Sequence, residues 1–406
     1  MTTQIEETRI DIADLELGMY VCRLDRPWEG TPFPLQGVEV RSEEDIAVLR
    51  ALCKFVYIDR RRTVALDRRL LLLKRSQSLD PRFRRATNYA NRISLDDELP
   101  RAHETLQAIT ESVDRIYSDV AHGRELSVEQ VEEAVRPLVA SVLRSADAFL
   151  FLEGLRKHDD YTYSHAIACG ALAAAFGRHL GLQEGTIVSL ATGGLLMDVG
   201  KTKVDRELLQ RVGPLTDTEA ALVHGHVEEG VAIVTSAGIN DPDVLDVMRT
   251  HHERCNGSGY PDGIMESGIP MAGRMLAIID TYDAMISARP YRTPVSRHAA
   301  LQAIYRARGR LFQTELVEQF QVCLGVYPTG SCVELSTGEL AVVMEQNQVR
   351  RLRPRVLVIS TPDKQPLPDF RTFDLLSQSS DGHTVEIVRN FAAGEHAIDT
   401  AGFLPA

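Results

Sequence analysis

Two aspartates close long apolar runs: Asp198 follows Gly193-Gly194-Leu195-Leu196-Met197, and Asp280 follows Met275-Leu276-Ala277-Ile278-Ile279. A carboxylate carried inward on such a run is expensive to bury unless it is paired or coordinates a cation. The fold must therefore supply partners, and candidates recur in apolar surroundings: His165, His226 and the adjacent pair His251 and His252. A lone histidine in a helix is more often a hydrogen-bonded core or surface residue than a ligand, but the whole set favours a metal. Adjacent histidines on a helix project about 100° apart, so His251 and His252 approach one centre as neighbouring ligands. Imidazole with carboxylate suits iron or manganese better than a thiolate-type zinc site. The set has room for two divalent metal ions with a carboxylate bridging them.

The candidate ligands lie in a block, from His158 to about Phe320, whose pattern is helical. Ala-rich segments such as "HAIACGALAAAFGRHL" suggest tight helix packing. On either side the pattern changes. Residues 1–66 read as a small α/β domain, with "YVCRL" and "KFVYID" as strands, "SEEDIAVLRAL" as a helix and a Pro/Gly-rich loop, "DRPWEGTPFPLQG", between them. Residues 67–100 read as a basic linker. Residues 101–144 read as a helical connector, in which Gly123 ends one amphipathic helix and Ser127 with Gln130 caps the next. The helices over 101–157 are candidates for a homodimer contact or for packing on the following block. From residue 326 to 406 short β-type runs, "ELAVVME" and "RVLVIS", alternate with turns. The predicted class is mainly α, with a small N-terminal α/β domain and a β-rich C-terminal extension.

Composition removes several function classes. A net charge of -12 argues against a nucleic-acid polymer as partner, although a local basic pocket can still hold a small anion. The apolar runs 166–177 and 185–197 fall short of the roughly 18 residues that span a bilayer. The start, "MTTQIEETRIDI", is acidic and unlike a signal. A cytoplasmic protein without a transmembrane segment is expected. Six scattered cysteines without a CxxC pair point to reduced thiols.

Two cations fit phosphate chemistry at the metal set. Lys201, three positions after Asp198, shares its face if the helix continues, and Arg289 in "SARPYR" offers a planar two-pronged donor. Surface salt bridges are the blander reading of each alone. After the histidine pair, "HHERCNGSGYPDG" strings turn signals into a loop that lets backbone approach a ligand closely.

Five ordered motifs carry a resemblance: "YTYSH" (161–165), "DVGK" (198–201), "HVEEG" (226–230), "HHERCNGSGYP" (251–261) and "DTYDAMISARPYR" (280–292). Over about residues 145–325 the chain resembles HD-GYP domains, a branch of the all-helical HD-type metal-dependent phosphohydrolases that includes cyclic di-GMP phosphodiesterases. "LELGMYVCRLDRPWEGTPFPLQG" is similar to an N-terminal domain of unknown function that often precedes them. The resemblance implies one metal held by His165, Asp198 and Asp280, and a second by Asp198, His226, His251 and His252. It places Lys201 and Arg289 on the phosphates, has Asp283 support the site, and counts Asp283 and Tyr260 with the substrate contacts. Asp198 and Lys201 would carry catalysis, hydrolysing a 3′–5′ phosphodiester of cyclic di-GMP to pGpG or, after a second cut, GMP. It also implies contacts with diguanylate cyclase (GGDEF) domains through the Gly-Tyr-Pro region, and a place in bacterial second-messenger signalling.

Two positions depart from the pattern. Asn256 stands where an aspartate is usual, in a turn. Met197 stands where the family carries the histidine of its His-Asp pair. A thioether is a soft, weak donor, poorly matched to iron or manganese, so one metal keeps His165, Asp198 and Asp280 but loses a fourth protein ligand. A slowed phosphodiesterase is the leading expectation. A catalytically inactive receptor for cyclic di-GMP, or an interaction module, is the alternative from a different class, and an HD hydrolase for another nucleotide is a third.

Overall fold

The computed structural model describes residues 7–12, 15, 19–26, 37–40, 43–59, 87–155, 161–211, 213–287, 293–347, 350–377, 384–392 and 395. Contacts divide the chain into two compact units, Met1–Arg84 with Gln348–Arg350 and Arg85–Asn347 with Arg351–Ala406.

In the first unit, β1 (Glu7–Asp11), β2 (Tyr20–Leu24), β3 (Val38–Glu39) and β4 (Phe55–Asp59) form an antiparallel sheet in the order β1-β4-β2-β3. Strand alternation buries Val56 and Ile58. Helix α1 (Glu43–Leu52) adds Ile46 and Leu49, one turn apart, to the same core. Both strand readings and the helix reading fall on these elements. Residues 27–36 of the Pro/Gly-rich loop and 60–86 of the basic stretch lie outside the described residues.

The second unit opens on α2 (Leu95–Ala121), which begins ahead of residue 101, inside the stretch read as linker. Pro100 suggests a boundary, but Ser94 starts the helix earlier by accepting from the Asp97 N–H. Glu98, fully buried, fixes the first turn by accepting from Ser141 and both prongs of Arg144 on α3 (Val128–Arg144). Gly123 has φ 76° after α2, and Ser127 caps α3. The apolar faces of these helices, including Leu106, Val113, Tyr117, Leu138 and Val142, are buried.

Next come α4 (Ala148–Leu155), α5 (Tyr161–Leu180) and α6 (Glu184–Leu196). A Cβ on Gly194 would lie 2.9 Å from the Cys169 carbonyl oxygen, so glycine permits the close approach of α5 and α6. After a 3-10 turn (Val199–Lys203) follow α7 (Arg206–Leu209), α8 (Asp217–His224), α9 (His226–Ser236), α10 (Pro242–Thr250), α11 (Met271–Ile286), α12 (Arg297–Ala307) and α13 (Thr314–Leu324). The unit ends in an antiparallel sheet of β5 (Cys332–Leu335), β6 (Leu340–Glu345), β7 (Arg355–Ser360), β8 (Pro366–Asp374) and β9 (Ile387–Phe391), in the order β8-β7-β6-β5-β9. The architecture is mainly α with small sheets toward both ends. No helix among the described residues is long and apolar enough to cross a membrane.

Candidate metal centre and active site

Helix α6 delivers Asp198. Its last turn is tethered from α2, where the Tyr117 hydroxyl donates to the Leu195 carbonyl at 2.8 Å. Met197, 1% exposed, is the C-cap. The backbone then tightens into the 3-10 turn instead of continuing as α-helix, and the spacing still brings Lys201 Nζ to 2.6 Å from Asp198 Oδ2. Both acids that end apolar runs are buried, Asp198 at 4% and Asp280 at 6% exposure.

Around Asp198 Oδ1 stand two imidazoles, with His226 Nε2 at 3.4 Å and His251 Nε2 at 3.8 Å. His226 begins α9, whereas His251 is the C-cap of α10 and His252 follows in a turn, so the histidine pair sits at a helix end. The other ring nitrogens fix the tautomers. His226 Nδ1 lies 2.7 Å from the Val223 carbonyl, and His251 Nδ1 lies 3.0 Å from that of Met248. A carbonyl only accepts, so each Nδ1 carries the proton and each neutral ring turns an Nε2 lone pair toward the carboxylate.

On the far side of Asp198 the same logic repeats. His165 Nδ1 donates to Asp283 Oδ2 at 2.7 Å, and its Nε2 faces Asp280 Oδ1 at 3.3 Å and Asp198 Oδ2 at 3.7 Å. Asp198 thus presents one oxygen to His226 and His251 and the other to His165 and Lys201. Asp280 spans the groups as well, its Oδ2 lying 3.5 Å from His252 Nδ1.

This arrangement fits a cation. Asp198 Oδ1 and the Nε2 atoms of His226, His251 and His252 are buried without a hydrogen-bond partner among the described residues. Those four residues offer donor atoms within 4.8 Å of one another. Lone pairs converging on a carboxylate repel unless positive charge lies between them, and orphaned buried acceptors are costly. The donor set, oxygen and imidazole nitrogen, is one that iron and manganese accept.

Electrostatics agrees. Burial pushes the Asp198 carboxyl up, but its charged and polar neighbours, the Lys201 ammonium first among them, outweigh it and hold the group well below the usual carboxylate range. Asp280 is also lowered against the effect of burial, with the nearby His165 first among the causes. His252 is driven well below 6.5, first by burial and then by His251, which leaves it neutral and able to ligate.

The Gly-Tyr-Pro loop is bound to the same elements. Glu253, 1% exposed, accepts from the backbone N–H groups of Asp262, Gly263 and Ile264 at 2.9, 3.0 and 3.1 Å. The Tyr260 ring stacks on His224 with centroids 3.6 Å apart, and lies 4.4 Å from that of His252. Asn256 accepts from Ser258 within the loop.

His165, Asp198, Lys201, His226, His251, His252 and Asp280 are therefore brought together, with Tyr260 beside them. Asp283, expected to support the site and among the substrate contacts, sits behind His165 at 3% exposure and also accepts from Ser287. Its carboxylate orients the His165 ring. Arg289 lies outside the described residues. Sequence reasoning assigned no role to Glu253, His224, Tyr117 or Cys169. The Cys169 thiol, pushed up to about 12 by burial, lies 3.7 Å from His165 Nδ1 one turn along α5. Glu253 had a visible signal, an acid directly after the histidine pair.

Comparison with known proteins places this geometry among relatives. A family described as "HD domain" matches residues 150–316, and one described as "Domain of unknown function (DUF3391)" matches residues 7–131. A cyclic di-GMP phosphodiesterase of Pseudomonas aeruginosa is 32% identical over 363 residues, covering 89% of this chain and 87% of that protein. A cyclic di-GMP phosphodiesterase of Thermotoga maritima is 33% identical over 181 residues, 42% of this chain and 49% of that one. The cyclic di-GMP phosphodiesterase response regulator RpfG of Xanthomonas campestris is 31% identical over 214 residues, 50% and 54% of the two chains.

Proposed function

The chain belongs to the HD-GYP family of HD-type phosphohydrolases, and from that premise we propose that it hydrolyses cyclic di-GMP to pGpG, GMP or both at the Asp198 centre, at a rate lowered by Met197. The observation that carries this reading is the convergence of orphaned, buried ligand atoms on Asp198 beside the Lys201 ammonium.

We assign one divalent cation to His165, Asp198 and Asp280 and a second to Asp198, His226, His251 and His252, with iron or manganese favoured by the donors. When bound, such ions supply Lewis acidity, making water nucleophilic near neutral pH and offsetting charge that develops on the phosphate. The chain's own residues do the rest. Asp198, with an oxygen toward each group, holds both sets in register. Asp283 keeps the His165 proton on Nδ1, so that Nε2 remains a donor. Lys201 spends one N–H on Asp198 and has others for a phosphate oxygen, where it would stabilise the charge formed as the ester bond breaks. Arg289 is proposed as a second phosphate contact, and Tyr260 as one wall of the substrate site. Diguanylate cyclase domains are proposed as partners of the Gly-Tyr-Pro region, on the family resemblance.

Met197 removes one protein ligand from the first set. Losing a single metal-binding contact lowers affinity or activity by roughly 10- to 100-fold, whereas three protein ligands with water can still hold a catalytic ion. Protein reconstituted anaerobically with iron or manganese and incubated with cyclic di-GMP should release pGpG or GMP above a His251→Ala control. Metal-loaded protein that binds cyclic di-GMP without releasing either product would refute hydrolysis and leave a receptor. Turnover of another nucleotide in preference to cyclic di-GMP would refute the substrate assignment.

A further inference from the structure

We propose that His224 is a positioning residue for this reaction: its imidazole holds the Tyr260 ring, and with it the Gly-Tyr-Pro loop, against His252 at the rim of the metal centre. The inference rests on the reading that cyclic di-GMP binds beside Tyr260.

The backbone makes the arrangement. Helix α8 is started firmly by a reciprocal capping box between Thr216 and Glu219. It ends at His224, and Gly225, in right-handed helical conformation, is at once its C-cap and the N-cap of α9. The path from His224 to His226 is therefore nearly helical, which sets the two side chains roughly 200° apart. His226 enters the cluster, fully buried and 3.4 Å from Asp198. His224 emerges on another side and meets Tyr260 in a parallel stack, 3.6 Å between centroids and 8° between planes.

Tyr260 is also 4.4 Å from His252 at 31°, and 6.4 Å from His226 edge-on. One ring thus touches both the metal cluster and a histidine outside it. Neither His224 nor Tyr260 is buried: both are half-exposed, as befits the mouth of a site more than a core. The loop backbone is pinned by Glu253 at Asp262, Gly263 and Ile264, past the tyrosine, and at Tyr260 itself by its N–H on the His252 carbonyl. Those bonds fix where the chain passes, and the stack fixes the plane in which the tyrosine ring stands.

If the ring's plane matters to a nucleotide, its loss should be felt in substrate binding and not in the chemistry. An aromatic pair's worth corresponds to a change of roughly 2- to 12-fold. The test compares the metal-loaded wild type with His224→Ala and His224→Phe on two substrates, cyclic di-GMP and methyl p-nitrophenyl phosphate, a diester without a nucleobase. We expect His224→Ala to raise KM for cyclic di-GMP within that range with kcat and metal content per chain nearly unchanged, and to leave the small diester unaffected. His224→Phe, which can still stack, should restore KM. Equal losses on both substrates, a fall in metal content or failure of phenylalanine to rescue would each overturn the proposal. Should the wild type not cleave cyclic di-GMP, the functional reading fails on its own. Equilibrium binding of the dinucleotide to the same variants then decides the role of His224, with weaker binding for alanine alone supporting it and equal binding overturning it.

Discussion

Gly200→Ala offers a sharp test of how the centre is built, because the chain crosses α9 there with no room for a side chain. A Cβ at Gly200 would lie 2.0 Å from the His226 carbonyl oxygen and 2.5 Å from the Gly230 nitrogen. Both obstacles are backbone, so no rotamer change relieves them. Real Cβ contacts essentially never fall below 3.0 Å, so the Asp198 turn and α9 must part by about 1 Å, the difference 3.0 − 2.0. Asp198 Oδ1 and His226 Nε2 are 3.4 Å apart in the native fold. Two donors each about 2.1 Å from one ion cannot be more than ~4.2 Å apart, and 3.4 Å is close to the edge of a tetrahedral site. Opening by about 1 Å would carry the pair to roughly 4.4 Å, beyond joint ligation. We expect Gly200→Ala to lose at least one metal per chain by elemental analysis after manganese loading. The overpacking should also cost about 1–3 kcal/mol in urea denaturation. Gly230→Ala is the control, since its Cβ would press only on the far end of the Met248 side chain at 3.0 Å and would meet the Gly200 nitrogen at an ordinary 3.4 Å, and it should keep its metal. Full metal content in a folded Gly200→Ala protein would refute the argument that this crossing sets the ligand spacing.

Met197→His should raise metal content per chain, and Asp198→Ala should abolish it; two ions already present in the unmodified protein, with no gain for Met197→His, would contradict the missing-ligand account. Glu253→Ala removes the acceptor of three loop N–H groups. We expect a loss of about 1–3 kcal/mol, checked by denaturant midpoint, with Glu253→Gln less affected because it keeps one acceptor oxygen. In the metal-free protein, His252 is held below 6.5 by burial and then by His251. The unfolded chain therefore binds that proton first, and stability should be full above pH 6.5 and fall as pH drops below it, by at most about 1.4 kcal/mol per pH unit from this group. Denaturation in chelator across pH 5 to 8 measures the slope, and His252→Asn should flatten it.

Most of the ligand set was legible because its signals are local and contradictory. Asp198 and Asp280 end runs that any fold would bury, and a buried acid demands a partner. The strands "YVCRL" and "RVLVIS" were equally plain, since period and composition agree within a few residues. What escaped depended on distant chain. The start of α2 is hidden because the bonds that hold its first turn come from Ser141 and Arg144, on another helix. Tyr117 gives no sign in its own helix that its hydroxyl will tether Leu195. Asp283 has the composition of a ligand, and nothing in its own sequence forecasts the 2.7 Å contact with His165 Nδ1 that puts it behind that ring.

Met197 is where local and distant information meet. Sequence alone shows a soft thioether in place of an imidazole and forecasts a weakened first metal. On the proposed assignment of the two sets, the loss falls on one side of a shared carboxylate. Asp198 Oδ1, facing His226 and His251, keeps its complement, while Oδ2 faces His165 at 3.7 Å and already holds Lys201 at 2.6 Å. An ammonium that close competes with a cation for the same oxygen, and the competition is harder to win with one ligand fewer. The two sets should therefore fill unequally as metal is titrated, the His226, His251 and His252 side first. A metal titration with two separated steps, the weaker one strengthened by Met197→His and the tighter one unmoved, is the pattern that follows. A single step of two equivalent ions would show that the thioether costs the centre nothing.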